Sequence, residues 1–164
     1  MAHPEIQQRE AVDYAAIPLQ VTMEEMTAAL PRLWPEVHAW LSQRGARPAG
    51  APFIRYLTAP PGGEWSIEIG IPAVGEISSD DRVVAGSFPA GRYAVMVHTG
   101  PYEGLGSANA ELQAWAASAA LTFQLDDTAQ GSVWRNHSEF YLTDPGTEPD
   151  PAKWQTEIVY LLAD

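Results

Sequence analysis

Hydrophobic positions along the chain fall into two blocks with the same layout. In the first, Met26, Leu30, Leu33, Val37, Trp40 and Leu41 recur at three- and four-residue intervals, the spacing that gathers side chains on one face of a helix. Thr22-Met23-Glu24-Glu25 ahead of them forms a capping box, in which Thr and the Glu three residues on satisfy each other's free backbone N–H groups. Pro31 and Pro35 interrupt the pattern, and proline is tolerated in a first turn but not in a helix interior. The spacing therefore predicts a short turn over 23–30, then a main helix to about Arg44, stopped by Gly45. Around the helix the period changes to two. The chain over 5–22 reads as extended, with β-compatible pieces around Ile6 and over 12–17, and Pro18 breaking the pattern. Residues 52–58 and 65–71 read as strands, joined into a hairpin by the Pro- and Gly-rich turn 59–64. Residues 73–81 read as a linker.

The second block repeats the plan. Residues 82–99 read as extended, and Gly100-Pro101-Tyr102-Glu103-Gly104 as a tight turn. A helix follows over 105–120, with Leu105, Ala108, Leu112, Trp115 and Ala119 on one face. Residues 132–143 and 154–162 form a second hairpin across the Pro- and Asp-rich loop 144–153. Leu30, Leu33, Val37, Trp40 and Leu41 match Leu105, Ala108, Leu112, Trp115 and Ala116 offset for offset. Each helix follows a Tyr-Ala strand (Tyr14-Ala15, Tyr93-Ala94), and each unit ends in a Glu-Ile strand (Glu68-Ile69, Glu157-Ile158). The pattern implies a tandem duplication, with a first repeat over about 5–73 and a second over about 82–163, in a single domain. The expected fold is α+β: two strand–helix–hairpin units related by a pseudo-two-fold, sheets side by side, helices on one face, and a ligand groove between the halves.

One strand stands out. Along 134–142, Trp134, Asn136, Ser138, Phe140 and Leu142 oppose Arg135, His137, Glu139 and Tyr141. Phe140 and Leu142 suit the helix-facing core, so Glu139 and Tyr141 are expected to face away from the helices, into the groove. A carboxylate in an aromatic wall is costly to desolvate unless something pairs with it. A cationic guest is one such partner; Arg135 or Arg55 is another. The aromatics Tyr56, Tyr93, Tyr102, Tyr141, Trp65 and Trp134 are candidates for such a wall, while Trp40 and Trp115 belong to the helices' apolar faces.

Charge and composition narrow the function. Nine Lys and Arg against 21 Asp and Glu leave a net charge of −12. No basic run exists to neutralise phosphates, so direct nucleic-acid binding is not expected. No cysteine is present, which excludes disulfides and thiolate metal sites. The polar start and the lack of any run near the ~20 apolar residues of a membrane span point to a cytoplasmic protein. Four scattered histidines, His98 and His137 among them, give no metal-ligand spacing, and no Gly-rich phosphate loop or Gly-x-Ser-x-Gly nucleophile occurs. No metal or cofactor is expected. A glycosidase-type pair from Glu139 and Glu157 would need both carboxyls across one bond, and nothing else suggests sugar binding.

The run Arg92-Tyr93-Ala94-Val95-Met96-Val97-His98-Thr99-Gly100-Pro101-Tyr102-Glu103-Gly104-Leu105, then Trp115, then Glu139-Phe140-Tyr141-Leu142-Thr143-Asp144-Pro145, then Trp154-Gln155-Thr156-Glu157-Ile158, resembles the GyrI-like small-molecule-binding family. The same module is the effector-binding domain of AraC- and MerR-type multidrug regulators. The resemblance implies a duplicated α+β fold with a pocket between its halves and an acidic residue that receives cationic, aromatic ligands. Glu139 matches the family's pocket glutamate, Tyr141 its companion aromatic, Tyr102 the Gly-Pro-Tyr element at the rim, and Glu157 the final strand's Glu. Tyr56 and Glu68 follow from the internal repeat. Unlike the regulators, the sequence shows no helix-turn-helix beside the module. It implies a stand-alone ligand-binding module. One alternative is a hydrolase of reactive, cyclopropanoid-type molecules with Glu139 as general base. Another is a protein inhibitor of a partner such as DNA gyrase.

Overall fold

The computed structural model describes residues 3–58, 65–128 and 131–163. Eleven strands are found among them: β1 (Glu5–Arg9), β2 (Val12–Val21), β3 (Arg47–Pro48), β4 (Phe53–Thr58), β5 (Trp65–Val74), β6 (Val84–Phe88), β7 (Gly91–Thr99), β8 (Leu125–Thr128), β9 (Gly131–Trp134), β10 (His137–Tyr141) and β11 (Gln155–Leu161). Two α-helices, α1 (Met23–Gln43) and α2 (Leu105–Ser118), follow β2 and β7. The turn 59–64 of the first hairpin lies outside the described residues.

Helix α1 starts as its capping box dictates: Thr22 Oγ1 accepts from the Glu25 amide, and Glu25 accepts from the Thr22 amide at 2.8 Å. It then runs unbroken through Pro31 and Pro35, which corrects the expected division into a turn and a helix. The two prolines are four residues apart and both exposed. The backbone bonds they forfeit lie on the solvent side, where water replaces them. The opposite side buries Met26, Leu33, Val37, Trp40 and Leu41, so packing of that face outweighs the local cost. Gly45, at φ 70°, takes the left-handed conformation just past the helix end. Helix α2 buries Ala108, Leu112 and Ala116, and a 3₁₀ turn over Tyr102–Gly104 leads into it.

The sheet follows one path, β1-β7-β11-β10-β4-β5-β2-β6, with β3 paired to β5. Every pairing is antiparallel, and the sheet curls into a half-barrel. The order is palindromic about the β10–β4 seam when β7 is matched to β2, β11 to β5 and β1 to β6. The pseudo-two-fold thus runs through the middle of a continuous sheet. Strand β1 pairs with β7 and β6 with β2, so the strand leading each half sits at the edge of the other half.

Both faces of the sheet are apolar. The first carries the two helices: α1 covers Ile17, Ile54, Ile67 and Ile69, and α2 covers Ala94, Met96, Ile158 and Tyr160. The second carries Tyr14, Phe53, Phe88 and Phe140 in one cluster and Tyr93, Val95, Val159 and Leu161 in another. The run 132–143 is not a single strand. It bends at Arg135 and Asn136; β9 pairs with β8 in a separate ribbon, and β10 joins the main sheet. The bend is held by buried Asn136, which donates to Tyr93 Oη at 2.9 Å and accepts from Ser138 Oγ at 2.6 Å.

Candidate functional site

Strand β10 lies at the seam, between β11 and β4. His137 stands opposite Tyr56 and Tyr160, and Glu139 opposite Ile54 and Ile158. Residues paired in register point to the same face, and these partners belong to the clusters under α1 and α2. Glu139 and Tyr141 therefore face the helices, opposite to the orientation expected from alternation. The expectation failed because Phe140 finds an apolar environment on the other face, against Phe53 and Phe88, while Leu142 stays 47% exposed.

Glu139 is 3% exposed. One carboxylate oxygen, Oε1, accepts from both Tyr56 Oη and Tyr141 Oη at 2.7 Å. The other, Oε2, accepts from Asn109 Nδ2 at 2.8 Å. Asn109 comes from α2, where its Nδ2 also donates to the Leu105 carbonyl at 2.9 Å. Its Oδ1 accepts from Tyr160 Oη at 2.9 Å and faces His137 Nε2 at 2.9 Å. A flipped amide would set Oδ1 against two acceptors, so the network fixes the Asn109 orientation and makes Nε2 the protonated nitrogen of His137. Gln113 completes the chain by donating to Tyr160 Oη at 2.9 Å. The His137 ring is stacked on Tyr160 at 3.9 Å and on Tyr56 at 4.9 Å, with Trp134 edge-on at 4.7 Å.

The electrostatics follow from burial. Loss of solvent, followed by the charge of Glu139, holds the Tyr56 phenol well above its ordinary range. Burial, then Tyr56 and Glu139, does the same for Tyr141. Both phenols stay protonated and serve as donors. Burial drives the His137 pKa down to about 3, so the ring is neutral. Among the described residues no Lys, Arg or His forms an ion pair with Glu139. Arg55 lies on the other face, donating to Tyr14 Oη and the Arg135 carbonyl, and Arg135 pairs with Asp126. Three neutral donors hold the buried carboxylate. Tyr141→Phe is expected to lower stability by about 1–3 kcal/mol, the cost of leaving a buried acceptor short of a donor; urea unfolding measures it.

The eight residues proposed from sequence to read a ligand divide between the faces. Glu139, Tyr141 and Tyr56 meet directly. Tyr102 packs edge-on against Tyr141 at 5.6 Å, and Trp65 against Tyr56 at 5.5 Å. Glu68, Tyr93 and Glu157 lie behind the sheet. There Glu68 accepts from Tyr14, Tyr93 donates to the Pro89 carbonyl, and Glu157 pairs with Arg9 at 3.0 Å. Tyr93 and Glu157 line a cleft of about 220 Å³ on that second face. Glu139 and Glu157 thus point to opposite sides of the sheet and cannot flank one bond.

Sequence reasoning missed Asn109, His137, Tyr160 and Trp34, which packs on Tyr141 at 5.1 Å. Two signals were present. Asn109 is a polar residue inside the apolar stripe of α2, four residues after Leu105 and three before Leu112. Tyr56-Leu57-Thr58 and Tyr141-Leu142-Thr143 are the same triplet in the two halves. Their tyrosines converge on one oxygen of Glu139, while the position of Glu139 is held by Ile54 in the first half. The duplicated scaffold supplies the grip twice and the carboxylate once.

The sequence model of the GyrI-like small molecule binding domain matches residues 2–162. The chain belongs to this family. The GyrI-like chain is similar in fold to the EcmrR C-terminal domain (15% identity, TM-score 0.81, covering 100% of this chain and 99% of that one). It spans 58% of EcmrR as present in a DNA complex. It is also similar to a structure described as a hydrolase from Listeria innocua (17% identity, TM-score 0.62, covering 98% of this chain and 91% of that one). A third similar structure is SAV2435 bound to tetraphenylphosphonium (14% identity, TM-score 0.60, covering 98% and 94%). No curated protein matches the sequence. Among the described residues no helix of this GyrI-like domain is long and apolar enough to cross a membrane.

Proposed function

We propose that this GyrI-like domain captures a lipophilic, cationic or aromatic small molecule at Glu139, between the two helices. The observation that carries the reading is a carboxylate 3% exposed with no cationic partner among the described residues. A cationic guest would supply the missing charge in a low-dielectric site, where the attraction is strongest. Tyr56, Tyr141, Trp34, Tyr102 and Trp65 would offer ring faces to it. The bound tetraphenylphosphonium of SAV2435, an aromatic cation on a similar fold, supports the same class of ligand. The network around Glu139 is packed in this structure, so entry requires the rim side chains Trp34 and Tyr102 to swing aside. Tyr93, Glu68 and Glu157 have no part in this reading.

A thermal-shift screen with cationic aromatic compounds tests it. A ligand at 100 times its Kd should stabilise the domain by about 2.7 kcal/mol. In Glu139→Gln, which keeps the shape and removes the charge, affinity should fall on the order of 30-fold, the worth of a charge-assisted contact. Hits indifferent to this change, or no hit across the set, would defeat the reading.

A second reading makes the same site hydrolytic. It is favoured by the similar fold described as a hydrolase. Among the described residues Glu139 Oε2 carries a single protein hydrogen bond, leaving a lone pair to take a proton from a water attacking a bound electrophile. Turnover that disappears in Glu139→Gln while binding survives would mark the enzyme; binding without turnover in the wild type would mark a binding site only.

A further inference from the structure

Short links between distant strands force the sheet to curl. Strands β1 and β2 stand six spacings apart along the sheet, about 29 Å in a flat sheet at ~4.8 Å per strand. Only Glu10 and Ala11 join them, and the three Cα–Cα steps from Arg9 to Val12 reach at most about 11 Å. Strands β6 and β7 are six spacings apart as well, and only Pro89 and Ala90 join them. The sheet therefore bends round until these strands meet. The cleft of about 220 Å³ behind the sheet lies at their meeting. Val12 of β2, Phe88 of β6, Tyr93 of β7, Phe140 of β10 and Val159 of β11 all line it. Only the concave face of the curl can bring these five strands to one opening.

Two features mark the cleft as a place for a guest. Its rim is apolar and bare: Val12 is 41% and Leu142 47% exposed, two of the five large apolar side chains exposed among the described residues. Both border this opening, and beneath them Phe88 and Phe140 meet edge to face at 5.4 Å. The polar groups of the cleft, in contrast, are already satisfied. Arg9 pairs with Glu157 at 3.0 Å and gives Nε and Nη2 to Gln7 Oε1. Asn136 donates to Tyr93, which donates onward to the Pro89 carbonyl. The buried side-chain nitrogen and oxygen atoms without a partner, among the described residues, belong to Arg55, His137 and Thr156, and none of these lines the cleft. Glu10 is exposed at the rim, where a carboxylate in water is worth little to a guest. A charged guest would lose its hydration with no buried partner to replace it. An uncharged ring system meets no such cost.

We propose that this cleft is a second binding site, for an uncharged flat molecule of about two fused aromatic rings. A dry cavity of ~150 Å³ holds one benzene ring, and the cleft is larger, at about 220 Å³. The guest's rings pack on Phe88 and Phe140 and cover Val12 and Leu142. The site is independent of Glu139, which points to the other face of the sheet.

N-phenyl-1-naphthylamine, uncharged and brighter in apolar surroundings, is the probe, and 8-anilino-1-naphthalenesulfonate is its anionic counterpart. Titrated into the wild-type chain and followed by fluorescence, the amine should bind saturably and about tenfold or more tightly than the sulfonate. Val12→Trp and Leu142→Trp each place an indole at the mouth from an exposed position. Each should weaken the amine about tenfold or more, with the fold kept as read by circular dichroism. The two plugs come from different segments, so the test survives the loss of one to misfolding. No saturable binding of the amine to the wild type overturns the site. Full affinity in the folded plug variants puts the probe elsewhere and overturns it too. Equal or tighter binding of the sulfonate overturns the class of ligand, and would mean that Arg9 leaves Glu157 for an anion.

Discussion

Acidification from pH 6.5 towards 3 is expected to strip about 4–5 kcal/mol from the stability of this domain through His137 alone. Burial holds the imidazole neutral in the folded chain, with its pKa lowered from 6.5 to about 3. In the unfolded chain the same ring takes up a proton near 6.5. Between the two values the unfolded state binds more protons than the folded one, so stability rises with pH and is lost as pH falls. At ~1.4 kcal/mol per pH unit the gap gives the stated size. Above 6.5 the ring is neutral in both states and contributes no slope. Carboxylates such as Asp80, held down at about 2 by the Val83 amide and the Trp40 indole, also lose stabilisation in acid. The informative quantity is therefore a difference. Urea unfolding of the wild type and His137→Phe at several pH values should show a flatter dependence in the variant. Parallel curves would mean that the ring is not buried neutral.

Gly70→Ala should cost about 3 kcal/mol or more, although it adds one methyl group to a strand. A Cβ at Gly70 would stand 2.3 Å from the Ala15 carbonyl oxygen, 2.6 Å from Ala16 Cβ and 2.8 Å from the Phe53 ring. The first of these is backbone in the adjacent strand, which cannot turn away. Gly70 is paired with Phe53 across β4 and β5, and its bare backbone leaves room for the tip of that ring in the aromatic cluster behind the sheet. Overpacking a close-packed interior usually costs about 1–3 kcal/mol, and a backbone clash in a central strand belongs at or above the upper end. Denaturant midpoints compare the two chains; a shift below about 1 kcal/mol would show that β2 and β5 can part without loss.

Periodicity made much of this fold legible. The helical stripes of α1 and α2, the hairpin of β4 and β5, and the matched offsets of the two helices all come from local spacing, and the structure keeps them, save that α2 ends at Ser118 and leaves Ala119 exposed. What spacing does not encode is which side of a strand meets the helices. Alternation in β10 sorted Phe140 from Glu139 and Tyr141 correctly, but both sides of this sheet are apolar, so the aromatic Phe140 was no guide to the helix side. The bend at Arg135 and Asn136 added to the error. It carries Trp134 to the same side as His137, which an unbroken strand would forbid. The prolines of α1 misled for a different reason: their cost is local, whereas the buried face opposite them is tertiary. Glu139 stood out as a carboxylate among aromatics. Its companions Asn109, His137 and Tyr160 are ordinary in their own segments and acquire meaning only when β10, β11 and α2 meet.

The exchange of leading strands between the halves has a kinetic consequence. Glu5 on β1 lies opposite Val95 on β7, so β1 waits during synthesis for a partner made roughly ninety residues later. Until then the first half has no use for it, and β6, which completes that half beside β2, is itself synthesised only after the hairpin of β4 and β5. Neither repeat is a self-sufficient folding unit. Contact order is correspondingly high, which places folding among the slower, millisecond-to-second topologies. An unpaired apolar strand edge persists through much of synthesis, the condition in which chains associate wrongly or recruit chaperones.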